Sequence, residues 1–101
     1  MAQIIKDGDV TIIKTGERVD TLNAAQFERD IEPTLIEGVN IEFDCTELVY
    51  ISSSGLRVRQ GTLRTVSKKL GGQVKMTHVS DQIYKVLYMT GFTRHLTVER
   101  D

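Results

Sequence analysis

A chain of 101 residues falls in the size range of one domain and can bury about 60 to 70% of its unfolded surface. Hydrophobic residues make up 40% of the chain and charged residues 27%, which excludes the low-hydrophobicity, high-charge composition of a disordered protein. The 13 basic and 14 acidic side chains leave a formal net charge of -1, so no global field favours a nucleic acid or an anionic membrane surface.

Cysteine usage and hydropathy indicate a cytoplasmic protein. Cys45 is the single cysteine, so no intrachain disulfide can form, and its position after a strand pattern is typical of a small buried apolar residue. The N-terminus has no cationic start followed by a long apolar run, and no stretch reaches the roughly 20 apolar residues of a membrane span. We therefore expect neither secretion nor membrane insertion.

Two β-branched runs near the N-terminus, residues 3–6 and 10–14, are separated by Asp7-Gly8-Asp9. Asp-Gly between such runs is a strong hairpin signal, because Gly tolerates the positive φ of the turn. We therefore predict that the first two strands form an antiparallel ribbon.

A helix is predicted shortly after this ribbon. Its apolar stripe at helical spacing is formed by Ala24, Phe27, Ile31 and Leu35. Asn23 is the expected N-cap, and Gln26, three positions further on, completes a variant of the capping box. Pro33 removes a helical hydrogen bond and disfavours a helical residue before it, so the helix is expected to kink or restart there.

The central part of the chain predicts a strand and then a second helix. Residues 39–43 alternate between apolar and polar side chains, as in a strand with one buried face. A short apolar run at 48–51 then breaks into Ser52-Ser53-Ser54-Gly55. A helical spacing follows on Leu56, Leu63, Val66 and Leu70. Gly71-Gly72 supplies the stop, since Gly suits the left-handed conformation at a helix end.

The C-terminal part predicts a strand, a helix and a last short strand. Val74 and Met76 alternate as a strand, and Ser80 is the expected cap of a third helix that ends before Gly91. The inner face of that helix is formed by Ile83, Val86 and Leu87. Residues 96–98 are expected to form the last strand.

The predicted order is therefore β, β, α, β, α, β, α, β. Its strand-helix-strand crossovers imply parallel pairing among strands two, three and four, with right-handed connections. We expect a single α/β domain over residues 1–101, with a mixed four- to five-stranded sheet and helices packed on it. No internal repeat, low-complexity tract or linker divides the chain.

The serine run is the feature that carries the most chemical information. Three hydroxyls precede Gly55 and a helix, so they lie at a helix N-terminus, where unpaired N–H groups and the macrodipole favour an attached phosphate by about 0.3 to 1 kcal/mol. In the structural alternative, one serine caps the helix and the others satisfy N–H groups of the turn, which is the commoner role of Ser at such a place. Local sequence alone favours that alternative.

Other kinds of site find less support. The serine run lacks the leading Gly of the Gly-x-Ser-x-Gly elbow, and His78 and His95 fall near element ends, so a hydrolase is disfavoured. These two histidines and Cys45 are too widely spaced to form a local ligand pair, so no metal site is predicted. Phosphate-binding glycine motifs are absent, so no nucleotide or other cofactor is predicted.

Arg57, Arg64 and Lys68 share one face of the predicted second helix. This face is either exposed to solvent or a strip that docks an acidic partner.

The stretch from Val39 to Val98 resembles the STAS domain of bacterial anti-sigma factor antagonists. The motifs that carry this resemblance are the run from Ile41 through Ser52-Ser53-Ser54-Gly55 to Arg57, then Gly71-Gly72, then Met89-Thr90-Gly91-Phe92. Residues 16–21 resemble the segment before that family's first helix, so the likeness covers nearly the whole chain.

The resemblance implies a protein-binding switch rather than an enzyme. The unmodified antagonist is expected to bind an anti-sigma factor with serine kinase activity, and phosphorylation ends the binding. A serine phosphatase is a second implied partner. Alignment of the family motif Asp-Ser-Ser-Gly on Gly55 makes Ser53 the acceptor, with Ser52 as a competing acceptor because it replaces the motif Asp. The implied partner-binding residues are Asp20, Ser52, Ser54, Gly55 and Arg57.

Two other functions remain open at this point. An unphosphorylated STAS domain could serve as a scaffold or as a subunit of a transport complex, with serines that only cap the helix. A hydrolase or nucleotide-binding enzyme would need a substrate-dependent activity that Ser53→Ala abolishes, and it ranks last.

Overall fold

The computed structural model describes residues 3–66, 71–91, 93 and 97–100. Its strands are β1 (Gln3–Asp7), β2 (Val10–Lys14), β3 (Arg18–Val19), β4 (Asn40–Asp44), β5 (Tyr50–Ile51), β6 (Val74–Val79) and β7 (Thr97–Arg100). Its helices are α1 (Ala24–Ile31), a 3-10 turn (Glu32–Thr34), α2 (Ser53–Arg64) and α3 (Asp81–Met89). Predictions that concern Lys68, Leu70, Phe92, His95 and Leu96 fall outside the described residues.

Five of the strands form one mixed sheet in the order β1-β2-β4-β6-β7. β1 is antiparallel to β2, with Ile5 opposite Ile12, and every other neighbouring pair is parallel. The predicted mixed sheet and the parallel pairing of its central strands are therefore confirmed. Right-handed crossovers that all step in the same direction place α1, α2 and α3 on one face of the sheet.

The hydrophobic core lies between that face and the helices. Phe43 and Met76 on the central strands are fully buried, and Phe43 packs against Phe27 of α1 with 6.1 Å between ring centroids. The opposite face is polar along β4, β6 and β7, since Lys75 pairs with Glu42 at 3.7 Å and with Glu99 at 3.6 Å. This one-sided burial explains the apolar-polar alternation of the strands.

A second, two-stranded sheet was not predicted. β3 and β5 pair in parallel, with Arg18 opposite Tyr50 and Val19 opposite Ile51. The N–H of Ser52 then donates to the carbonyl of Val19 at 2.8 Å. As a result, the loop before α1 and the serine run leave the same end of this small sheet side by side.

Two predictions about helix ends are wrong. α2 begins at Ser53, not at Leu56, because Ser52 already provides the cap. Asn23 is the N-cap residue of α1, as predicted, but its side chain caps no helical N–H, and Gln26 donates to Asp30 instead of closing the predicted capping box. The expected restart at Pro33 is confirmed in a modified form, since α1 ends at Ile31 and a 3-10 turn follows.

Candidate functional site

The first turn of α2 is organised by Ser52. Its extended backbone lets Oγ accept a hydrogen bond from the N–H of Gly55 at 3.2 Å, while its carbonyl accepts from the N–H of Leu56 at 3.0 Å. This is ordinary N-cap geometry, which typically contributes about 1 kcal/mol. Ser52 therefore performs the structural role that the sequence allowed for one serine of the run.

Ser53 is the first residue of α2, and its side chain is exposed. Within the described part of the chain, its hydroxyl forms no hydrogen bond, and the N–H groups of Ser53 and Ser54 have no acceptor. The first N–H groups of a helix point out of its N-terminal end, where they and the macrodipole favour a negative charge. Ser54, the next residue, is half-buried.

Gly55 holds this turn against the small sheet. A Cβ added at this position would lie 2.7 Å from Val19 Cγ1 and 2.9 Å from both Ile51 Cγ1 and the Val19 carbonyl oxygen. Real Cβ atoms do not approach that closely, so the helix can reach β3 and β5 here only with glycine. The interface role that the family resemblance implies for Gly55 is thus accompanied by a steric role, because the residue is buried.

Asp20 forms a reciprocal capping box with Asn23. The N–H groups of Leu22 and Asn23 donate to Asp20 Oδ1 at 3.0 and 3.2 Å, and the N–H of Asp20 donates to Asn23 Oδ1 at 2.8 Å. Arg18 Nε donates to Asp20 Oδ2 at 3.3 Å. The Asp20 side chain, 19% exposed, is therefore a fixed carboxylate in the loop beside the serine run.

The pKa of Asp20 reflects this set of donors. Partial desolvation raises it, but the hydrogen bonds from Arg18, Asn23 and Leu22, together with the charge of Arg18, outweigh that effect. The pKa of Asp20 consequently lies below its usual 3.8, so the carboxylate is charged at neutral pH.

Three exposed apolar side chains, here called the apolar rim, belong to these loops and the small sheet: Leu22 lies in the loop before α1, and Val49 and Tyr50 lie just before and at the start of β5. Leu22 is 94% exposed, Val49 57% and Tyr50 44%, and the Arg18 guanidinium lies 4.6 Å from the centre of the Tyr50 ring. Exposed apolar side chains on adjacent elements are candidates for an interaction surface. The sequence held one signal for this rim, since Leu22 lies outside the apolar stripe of α1.

The remaining candidates are dispersed. Arg57 and Arg64 are exposed on α2, and Arg57 lines a groove between α1 and α2 together with Ser54. Cys45 is buried, as expected. His78 is exposed and has a φ of +55°. Desolvation raises the pKa of Asp44, but the hydrogen bonds from Thr46 and the charges of His78 and Lys14 together lower it below its usual value. In the described ranges, no three His, Cys, Asp or Glu side chains converge as metal ligands would.

The family follows from comparison with known proteins. The model of the STAS domain family matches residues 1–101. The chain belongs to this family. An anti-sigma-B factor antagonist of Bacillus subtilis (strain 168) is 27% identical to this STAS domain over 85 residues, which are 84% of this chain and 76% of the relative.

Solved structures show the same fold. The anti-sigma factor antagonist SpoIIAA in its unphosphorylated form has a TM-score of 0.75 and 16% identity, over 97% of this STAS domain and 86% of that chain. A sulfate transporter family protein from Wolinella succinogenes has a TM-score of 0.77 and 18% identity, over 94% and 80%. The fold therefore occurs both in regulators and in a transporter family. Across the described residues, no helix has the length and hydropathy needed to cross a bilayer.

Proposed function

We propose that this STAS domain is an anti-sigma factor antagonist that binds an anti-sigma factor with serine kinase activity in the cytoplasm. Phosphorylation of Ser53 by that kinase ends the binding, and a serine phosphatase restores it. The observation that carries the proposal is the position of Ser53, an exposed hydroxyl without a hydrogen-bond partner in the described chain, at the start of α2. The relationship to the anti-sigma-B factor antagonist supports the partner class.

The neighbouring serines are poorer acceptors. Ser52 Oγ accepts from the N–H of Gly55, so phosphorylation there would disturb the N-cap, and the side chain is half-buried. Ser54 is half-buried as well and lines the groove between α1 and α2. A kinase therefore reaches the Ser53 hydroxyl with the least rearrangement.

The transfer itself requires little of this domain. Ser53 Oγ attacks the γ-phosphorus of ATP bound to the kinase, the hydroxyl proton passes to a base of the kinase, and ADP leaves. The product phosphate carries about -1.5 to -2 charges, which the N–H groups of Ser53 and Ser54 at the start of α2, unpaired among the described residues, favour. The domain supplies an accessible nucleophile and a site that tolerates the charge.

Loss of binding follows from the surroundings of Ser53. The proposed interface consists of the apolar rim together with Asp20, Ser52, Ser54, Gly55 and Arg57. A hydrated dianion at its centre would prevent desolvation of the rim and would repel acidic groups that fit Arg57. A loss of about 3 to 4 kcal/mol would weaken the complex several hundredfold.

The test is an affinity capture from lysate of the native organism with wild-type, Ser53→Asp and Ser80→Asp baits. Ser80 caps α3 with the same geometry as Ser52 caps α2, so its substitution changes charge at the N-terminus of a helix that contributes no residue to the proposed interface. We expect a kinase-like protein to be retained by wild type and Ser80→Asp and lost with Ser53→Asp. Mass spectrometry of the bait should show phosphate on Ser53.

A second candidate is a scaffold or a subunit of a transport complex, which the shared fold with the sulfate transporter family protein favours. In that case Ser53 is structural. Equal recovery of the same proteins by all three baits, with no phosphate on the wild-type bait, would select this alternative and reject the switch.

A further inference from the structure

A groove of about 720 Å³ runs between α1 and α2 and begins beside the proposed phosphorylation site, where Ser54 forms part of its wall. Both helices lie in crossovers between parallel strands, so they point the same way and their N-termini meet at the serine end. Ala25 and Gly61, both exposed, line the groove along its length. The surface is therefore concave and continuous with the proposed interface.

Contacts among the described residues do not require glycine at position 61. It lies inside α2, and no described atom falls within 4 Å of a Cβ added there, whereas the Cβ of an alanine at position 55 would meet Val19. Glycine inside a helix lowers helix stability relative to alanine. A close approach by another molecule would account for glycine at this position.

The charges of the groove are arranged along its axis. Among the charged side chains that line the groove, Arg57 lies near the serine end, where the two helix N-termini add positive charge. Glu28 of α1 and Glu32 of the 3-10 turn that follows line the groove toward its other end. In the part of the chain that the structure describes, none of these three side chains forms an ion pair. The like charges of Glu28 and Glu32, four residues apart, also repel each other where α1 passes into the 3-10 turn.

We propose that this groove binds an amphipathic helix of the partner protein, antiparallel to α1 and α2. Its N-terminal half carries Lys or Arg side chains that meet Glu28 and Glu32, and its acidic C-terminal end meets Arg57. Small side chains at Ala25 and Gly61 let the helix approach closely. The coupling to the switch rests on the proposed function: phosphate on Ser53 turns the serine end negative and repels the acidic end of the bound helix.

The test uses a stapled helical peptide of about 14 residues, about 21 Å long. It has a Leu/Ala face, Lys in its N-terminal half and Glu in its C-terminal half. Titration into isotope-labelled protein, followed by NMR, should perturb the amide signals of α1 and α2. We expect binding to fall about tenfold or more with Glu28→Lys/Glu32→Lys, since attractive pairs become repulsive ones. A peptide with its charged halves exchanged should bind correspondingly less well.

Gly61→Leu should also block binding, because it fills the groove. Gln60→Leu is the matched control, since Gln60 is exposed on the same helix but does not line the groove. Thermal unfolding of each variant verifies the fold. Equal binding by Gly61→Leu and Gln60→Leu, no preference between the two peptides, or no perturbation of α1 and α2 would overturn the proposal.

Phosphate on Ser53 in the native organism is measured separately. Absence of peptide binding in the groove and absence of the phosphorylation switch therefore give different results.

Discussion

Asp20 shows how one side chain can serve both the fold and the proposed site. It joins the small sheet to α1 through its bonds to Leu22, Asn23 and Arg18, and it lies beside the serine run. The family resemblance located this carboxylate, but not its partner in the capping box. A capping box with Asn at its fourth position differs from the usual Glu or Gln, so the sequence favoured Asn23 as the cap instead.

The lowered pKa of Asp20 predicts a pH-dependent contribution to stability. A carboxyl whose pKa is lower in the folded than in the unfolded state stabilises the fold above the unfolded value, and this contribution is lost as pH falls through the folded value. Asp20→Asn keeps the shape but removes the charge. We expect wild type to have a higher free energy of unfolding in urea than Asp20→Asn at neutral pH. This difference between the two proteins should shrink below pH 3.8.

Asp9→Asn provides the control for this experiment. Asp9 lies in the exposed turn between β1 and β2, and within the described residues it forms no hydrogen bond or ion pair. This variant should follow wild type throughout the pH range. A gap between wild type and Asp20→Asn that is constant or widens in acid would contradict the assigned donors of Asp20.

At the scale of elements, local sequence patterns predicted every strand of the main sheet and all three α-helices. It missed β3 and β5 because two-residue strands are too short to show an alternation. These are the strands that bring Asp20 beside Ser52. The apolar rim was missed for the same reason, since which loops meet depends on a pairing between distant residues that no local pattern encodes.

The docking of α2 on this small sheet can be tested through its two glycines. Gly55→Ala forces a methyl group against Val19 and Ile51, so we expect a loss of roughly 1–3 kcal/mol of unfolding free energy. Gly61→Ala meets open space inside the helix and should instead stabilise the domain by roughly 0.5–1 kcal/mol. Urea unfolding followed by circular dichroism measures both. Effects of the same sign would show that α2 does not approach β3 and β5 as described.

At the scale of the whole molecule, the topology follows from two general rules. Parallel strands joined by helices make right-handed crossovers, and an Asp-Gly turn adds an antiparallel strand at one edge. These rules place the N-termini of α1 and α2 at the carboxyl edge of the sheet, where α/β folds commonly carry their sites. They do not select a partner, because the same fold occurs in a transporter family.

This architecture predicts that the switch changes binding without changing the fold. Ser53 is exposed at the positive end of α2, and its hydroxyl forms no hydrogen bond within the described chain. A negative charge there therefore disrupts no hydrogen bond of the hydroxyl, and its interaction with the helix N-terminus stabilises the fold by about 0.3–1 kcal/mol. Since 1 kcal/mol shifts Tm by about 4–8 °C in a domain of this size, Ser53→Asp should melt at the wild-type temperature or a few degrees above it. Ser53→Lys, with the opposite charge, should melt at a lower temperature than wild type.

Calorimetry measures the order of the melting temperatures of the three proteins, and NMR amide spectra report whether structural changes stay near the first turn of α2. A Ser53→Asp protein that melts below Ser53→Lys, or whose signals shift throughout the sheet, would mean that phosphorylation acts by unfolding the domain.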